Sequence, residues 1–147
     1  MLRARSSQRR QGATTIEMAV VAGIASLLLF GIMEFCLIVY TYNVVDNAAR
    51  EGARFAVVNT TEDTMITDTK AVVKNFMSGI DTKMEDYQCE IYLADTQGNN
   101  IGNATDAVFG QHICVDVRVD YVPLTPGLGF LKKFTIRSKC SMGSEAN

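Results

Sequence analysis

Two carboxylates occupy positions where charge is costly. Residues 11–49 contain no lysine or arginine, yet Glu17 and Glu34 stand in the apolar part of that stretch. Within residues 18–42 Glu34 is the single charge. An ionised carboxylate in hydrocarbon costs several kcal/mol, so such a residue marks a partner or a function. Glu17 also has a plainer reading as an acid at the start of a helix, worth roughly 0.3–1 kcal/mol through the macrodipole. The other reactive residue types are scattered. His112 is the only histidine and has no nucleophile, metal cluster or glycine-rich phosphate loop beside it, so it reads as a surface residue. Asp116 and Asp120 read as an exposed strand face. The stretch 95–110 holds Asp95, Asp106 and several amides but lacks the regular spacing of a calcium loop. No catalytic set, metal set or cofactor is expected, and the chain reads as a non-enzyme.

Four cysteines complete the list. Cys36 lies in the apolar stretch and is expected to be a buried apolar residue. Cys89, Cys114 and Cys140 fall outside it, and three thiols allow one disulfide with one left over. Cys89 and Cys140 share the apolar parity of their strands, Cys114 the polar parity of its own. Which pair forms, if any, stays open. The spacing excludes a CxxC redox or zinc motif.

The elements that must carry these residues follow from hydropathy and charge. The chain has 147 residues, with Arg3, Arg5, Arg9 and Arg10 the only charges among the first sixteen. Without those four, 10 basic residues face 16 acidic ones. The length excludes a multi-domain enzyme, and the charge balance argues against a nucleic-acid binder. The apolar content is that of a folded chain. Residues 18–42 meet the ~20-residue length that crosses a ~30 Å hydrocarbon core. The arginines precede this stem and acids dominate after it. The N-terminus is thus expected in the cytoplasm and the body outside, as a single-pass membrane protein. A cleaved secretory signal would be shorter. Ala19, Ala22, Gly23 and Ser26 recur at three- and four-residue spacing, a pattern that lets helices approach closely.

Beyond the stem, Val45, Ala48, Ala49, Gly52, Ala56 and Val57 form an apolar stripe at helical spacing. The helix is expected to run on to Val58 and end at Asn59, Thr60 and Thr61. A second helix is expected over 64–77. Strands are expected at 87–93, 113–121 and 134–140, with 95–110 as a long loop. The fold class is therefore α+β: a long N-terminal transmembrane helix continuing outside, a short second helix and a three-stranded antiparallel sheet. The expected organisation is 1–12 as a cytoplasmic leader, 13–58 as the helix and 59–147 as an extracytoplasmic α+β domain.

Residues 9–18, RRQGATTIEM, resemble the processing site of type IV prepilins and pseudopilins. The resemblance implies cleavage by a membrane peptidase between Gly12 and Ala13, which makes Glu17 the fifth residue of the mature chain. The new α-amine of Ala13 is a cation at neutral pH. Glu17 lies about one turn on and can pair with it or with the amine of a neighbouring subunit. Gly31-Ile32-Met33-Glu34-Phe35, followed by Asn47-Ala48-Ala49-Arg50-Glu51-Gly52-Ala53-Arg54, is similar to the TadE family of tight-adherence pilus proteins. Pro123-Leu124-Thr125-Pro126 before the last strand agrees with that family's outline. Two departures are Gln11, where the family often has arginine, and the absence of a stem proline.

The resemblance implies a structural, non-catalytic minor pilin or pseudopilin of a tight-adherence pilus. Its implied partners are a prepilin peptidase, inner-membrane platform proteins, an ATPase acting through them, and other pilins. Glu34 becomes an intramembrane or inter-subunit charge. Arg50 and Arg54 lie about 24 and 30 Å further along a continuous helix, within reach of Glu34 only from a staggered neighbour. Read alone, they are solvated helix charges worth a few tenths of a kcal/mol. The competing expectation is an uncleaved single-pass protein whose external domain binds or senses a ligand.

Overall fold

In the computed structural model, residues 5–60, 62–80, 84–124 and 133–144 are described, the side chains of 5–11, 13 and 84 excepted. Helix α1 is Arg5–Val58 and helix α2 is Met65–Met77. Strands follow as β1 (Met84–Ala94), β2 (Asn100–Asn103), β3 (His112–Tyr121) and β4 (Phe134–Gly143), with one 3-10 turn at Ala104–Asp106. The chain divides into two compact units, Met1–Leu37 and Ile38–Asn147. Thr61, Thr125, Pro126 and the first four residues lie outside the described residues.

Helix α1 forms because nothing interrupts it: both prolines of the chain come after residue 122. It ends where side chains take over its last carbonyls. Asn59 Nδ2 donates to Phe55 O at 2.9 Å. Thr60 Oγ1 lies 3.1 Å from both Ala56 O and Val57 O. These groups satisfy acceptors that a helix end otherwise leaves bare.

The sheet is antiparallel, in the order β2-β1-β3-β4. It has four strands, not the three expected. The extra strand arises inside the stretch read as a loop. Asp95 Oδ1 accepts the N–H groups of Gln97 and Asn99, each at 2.8 Å, and Gly98 takes φ +81°. That turn folds Asn100–Asn103 back onto β1. Asn-Ile-Gly-Asn has little strand propensity of its own, so turn chemistry rather than composition creates the strand.

One sheet face is apolar. Ile113, Val115, Val117, Val119 and Tyr121 are all buried, and the α1 stripe is buried with them in the same unit. Gly52 marks a close approach: a Cβ there would lie 2.5 Å from Val73 Cγ2 on α2 and 3.4 Å from Val115 Cγ1 on β3. Ala56, Val57, Met65, Leu93, Ala104, Ala107 and Ile113 close the core at the other end of the stripe. Ser138 of β4 donates to Asp46 Oδ1 of α1 at 2.8 Å.

Candidate assembly and processing surface

The first part of α1 has apolar side chains and few neighbours. Ile16, Val20, Leu27, Leu28, Phe30 and Phe35 are all exposed. This is a helix long and apolar enough to cross a membrane. Exposed apolar surface on this scale marks a membrane or protein contact. Ala19, Ala22, Gly23 and Ser26 are exposed as well. Ser26 Oγ donates to Ala22 O at 2.8 Å, so its hydroxyl is satisfied within the helix and this strip stays free for close packing. Cys36 is exposed within this apolar stretch, as most of its neighbours are.

Gly12 is helical and exposed, and a Cβ there would meet nothing within 4 Å. Glu17 is exposed four residues beyond Ala13, about 6 Å along the axis and on the same side of the helix. Glu34 behaves otherwise. It is 1% exposed although residues 27–33 and 35–36 are all exposed.

Arg50 and Arg54 fall in the second unit. Arg50 pairs with Asp46 of its own helix at 2.9 Å, an i,i+4 contact, while Arg54 is exposed. Asp46 went unnoticed in the sequence, although its spacing to Arg50 was readable there. Its second role, accepting from Ser138, needed the sheet to be known.

The three outer cysteines are free thiols. Cys89 faces Val117 across β1–β3 and Cys140 faces Val115 across β3–β4, so β3 separates them. Cys114 lies on the opposite face, buried with Tyr92 and Ala94. Burial pushes the Cys89 and Cys140 thiols up, which makes them poor nucleophiles near neutral pH. His112 is half-buried and lines a small hollow of about 240 Å³ with Asp95, Thr96, Gly98 and Ser141. Among the described residues no group of acids, histidines and cysteines is arranged to hold a metal ion.

Asp116 departs from the expected exposed strand face: it is 1% exposed. Arg118 Nη2 lies 2.8 Å from its Oδ2, Arg137 Nε donates to Oδ1 at 2.9 Å, and Lys139 Nζ stands 3.8 Å away. The long basic side chains lie over the short acid and cover it, as such stems do on a sheet surface. Burial works to raise the carboxyl, but hydrogen bonds from Arg137 and Arg118 outweigh it and hold Asp116 below the usual carboxylate range.

The segment that bears Gly12, the exposed strip and Glu34 has known counterparts. Residues 12–54 match the family model described as TadE-like protein. Over those residues the chain is similar to the TadE-like family. No curated protein and no solved structure matches it. The TadE-like segment supports association with a tight-adherence pilus, and its apolar helix agrees with membrane anchoring. The match runs from Gly12 to Arg54, inside α1, and leaves the sheet outside it.

Proposed function

We propose that this TadE-like chain is a minor pilin or pseudopilin, made as an inner-membrane precursor with its N-terminus in the cytoplasm. A prepilin peptidase cuts between Gly12 and Ala13. The helix then leaves the bilayer laterally and enters a bundle with other pilins, on a platform driven by a cytoplasmic ATPase. The observation that carries this reading is the junction itself: Gly12, then Glu17 five residues on, at the head of an exposed apolar helix within the matched segment. Glycine weakens a helix by roughly 0.5–1 kcal/mol relative to alanine, which eases local unwinding at the scissile bond. The freed amine of Ala13 needs a partner once the helix is surrounded by apolar neighbours. Glu17 supplies it, in its own chain or across a subunit boundary.

Mass spectrometry of the protein from native membranes is expected to find an N-terminus at Ala13. An intact leader in cells that hold the peptidase would favour an uncleaved anchored receptor instead. Glu17→Ala is expected to leave cleavage intact and to lower the amount of pilus-associated protein at least tenfold. Sheared-pilus immunoblots beside N-terminal sequencing read both effects. Unchanged incorporation would remove the role given to Glu17.

A further inference from the structure

Contacts between α1 and the sheet run in order along both elements. Val57 of α1 shares its core cluster with Ile113 of β3. Gly52 closely approaches Val115. Asp46 accepts from Ser138, the residue of β4 that pairs with Val117. From Val57 back to Asp46 the helix covers about 16 Å, and from Ile113 on to Val117 the strand covers about 13 Å. Helix and strand therefore lie nearly side by side and antiparallel. Four more strand residues, about 13 Å, bring β3 to Tyr121 and its partner Phe134. On the helix that distance leads from Asp46 back to about Ile38. The Tyr121 end of the sheet is thus level with residues 38–42 of α1, in the same compact unit.

Those helix residues close the apolar stem. Residues 18–42 run about 37 Å as helix, more than the ~30 Å of a hydrocarbon core, so their last turn falls in the headgroup layer. Tyr40 and Tyr42 are exposed there, and tyrosine is a ring type that settles at a membrane interface. The sheet end adds apolar surface at the same level. Leu124, just past β3, is 43% exposed, and Phe134, packed against Tyr121 with 5.5 Å between ring centroids, is 37% exposed. The charges beside them decide which lipid suits this end. Lys133 Nζ lies 3.0 Å from Glu85, 3.4 Å from Asp86 and 3.3 Å from Asp120. Among the described residues there, one cation meets three acids, so an anionic surface has no electrostatic pull on this end and a zwitterionic one fits it.

We propose that the Tyr121 end of the body, through Leu124 and Phe134 together with Tyr40 and Tyr42, rests in the zwitterionic headgroup layer of the membrane that holds α1. The apolar side chains gain by leaving water at that depth, while Lys133 stays paired with its acids. This rests on residues 18–42 spanning the membrane, and the test separates the two. It holds whether or not the leader is removed.

The chain has no tryptophan, so one introduced indole reports alone. The full chain carrying Phe134→Trp, Leu124→Trp, Phe109→Trp or Leu28→Trp is placed as single copies in phosphatidylcholine nanodiscs. Lipid brominated near the glycerol or deep in the acyl chains serves as quencher. Phe134→Trp and Leu124→Trp are expected to lose at least half their emission to the shallow bromines, with no dependence on salt or on added phosphatidylglycerol. Leu28→Trp, in the stem, is expected to be quenched by the deep bromines. Phe109→Trp, beyond the opposite end of β3, is expected to be quenched by aqueous acrylamide and by neither lipid. If Leu28→Trp is quenched while Phe134→Trp and Leu124→Trp are not, the span stands and the proposal is overturned. If Leu28→Trp is not quenched, the span fails and the proposal with it. Shielding of Phe134→Trp and Leu124→Trp from lipid and acrylamide alike would mean that protein covers this end, and quenching that requires phosphatidylglycerol would mean that charge drives the contact; either overturns it. Should Phe134→Trp fail to fold, the exposed position of Leu124→Trp decides alone.

Discussion

Asp116→Asn is expected to destabilise the Ile38–Asn147 unit by about 2–3 kcal/mol at neutral pH. Asparagine keeps the shape and loses the charge. Arg118 and Arg137 then face each other across β3 and β4 with no anion between them, and Lys139 stands beside both. Removing one partner of a fully buried ion pair costs about 3–5 kcal/mol. The lower figure applies because the three cations remain partly in water, which screens them. For a unit of this size the melting temperature is expected to fall by roughly 10 °C.

The same substitution has a pH signature. Contacts with Arg137 and Arg118 hold the folded carboxyl of Asp116 below the usual range, near 3.9 in an unfolded chain. A group depressed on folding stabilises fully above its unfolded value and loses that contribution as pH falls through its folded value. The stability gap between wild type and Asp116→Asn should therefore be constant above about pH 5 and close below about pH 4. Thermal melts of the full chain in detergent at pH 7, 5 and 3 measure it. A gap under 1 kcal/mol at pH 7, or one no smaller at pH 3 than at pH 5, would show that the carboxylate does not hold this face together.

Gly52→Ala carries the second large effect, through packing. In a solvent-exposed helix this change would stabilise by about 1 kcal/mol. Here the new Cβ meets Val73 Cγ2 at 2.5 Å. Valine in a helix has one strongly preferred rotamer, so its methyl cannot swing aside cheaply. Overpacking of this kind costs about 1–3 kcal/mol, enough to reverse the sign of the propensity gain. A net loss of about 0–2 kcal/mol is expected from the balance, and a much larger one for Gly52→Leu. Val73→Ala removes the obstructing methyl. In that background Gly52→Ala should become neutral or stabilising, and a double-mutant cycle reads the coupling directly. Additive effects would mean that α1 and α2 are not in tight contact at Gly52.

Much of this molecule was legible in its sequence. The apolar stem, the stripe from Val45 to Val57 and the alternation along β3 are periodic signals many residues long, and α1, α2 and β3 follow them closely. The matched segment was legible for the same reason, because Glu17, Glu34 and the Arg50-to-Arg54 run lie along one helix at fixed spacing. Strand β2 was not. Four residues with one strand-forming side chain carry no periodicity, and Asp95 folded them back through hydrogen bonds to its own loop. The state of Asp116 was also out of reach. Alternation placed it on the polar face of β3, and polar faces are ordinarily wet.

Composition and spacing along single elements thus determined the helix, its charge asymmetry and the spacing of Glu17 from Gly12, because those properties repeat or sit next to one another in the chain. Strand order and cross-strand register decided what burial and charge do in the body. Arg137 lies 21 residues from Asp116, and Ser138 lies 92 residues from Asp46. Only the folded sheet brings such distant residues within hydrogen-bonding reach, and register is fixed by turns and packing that no single segment contains.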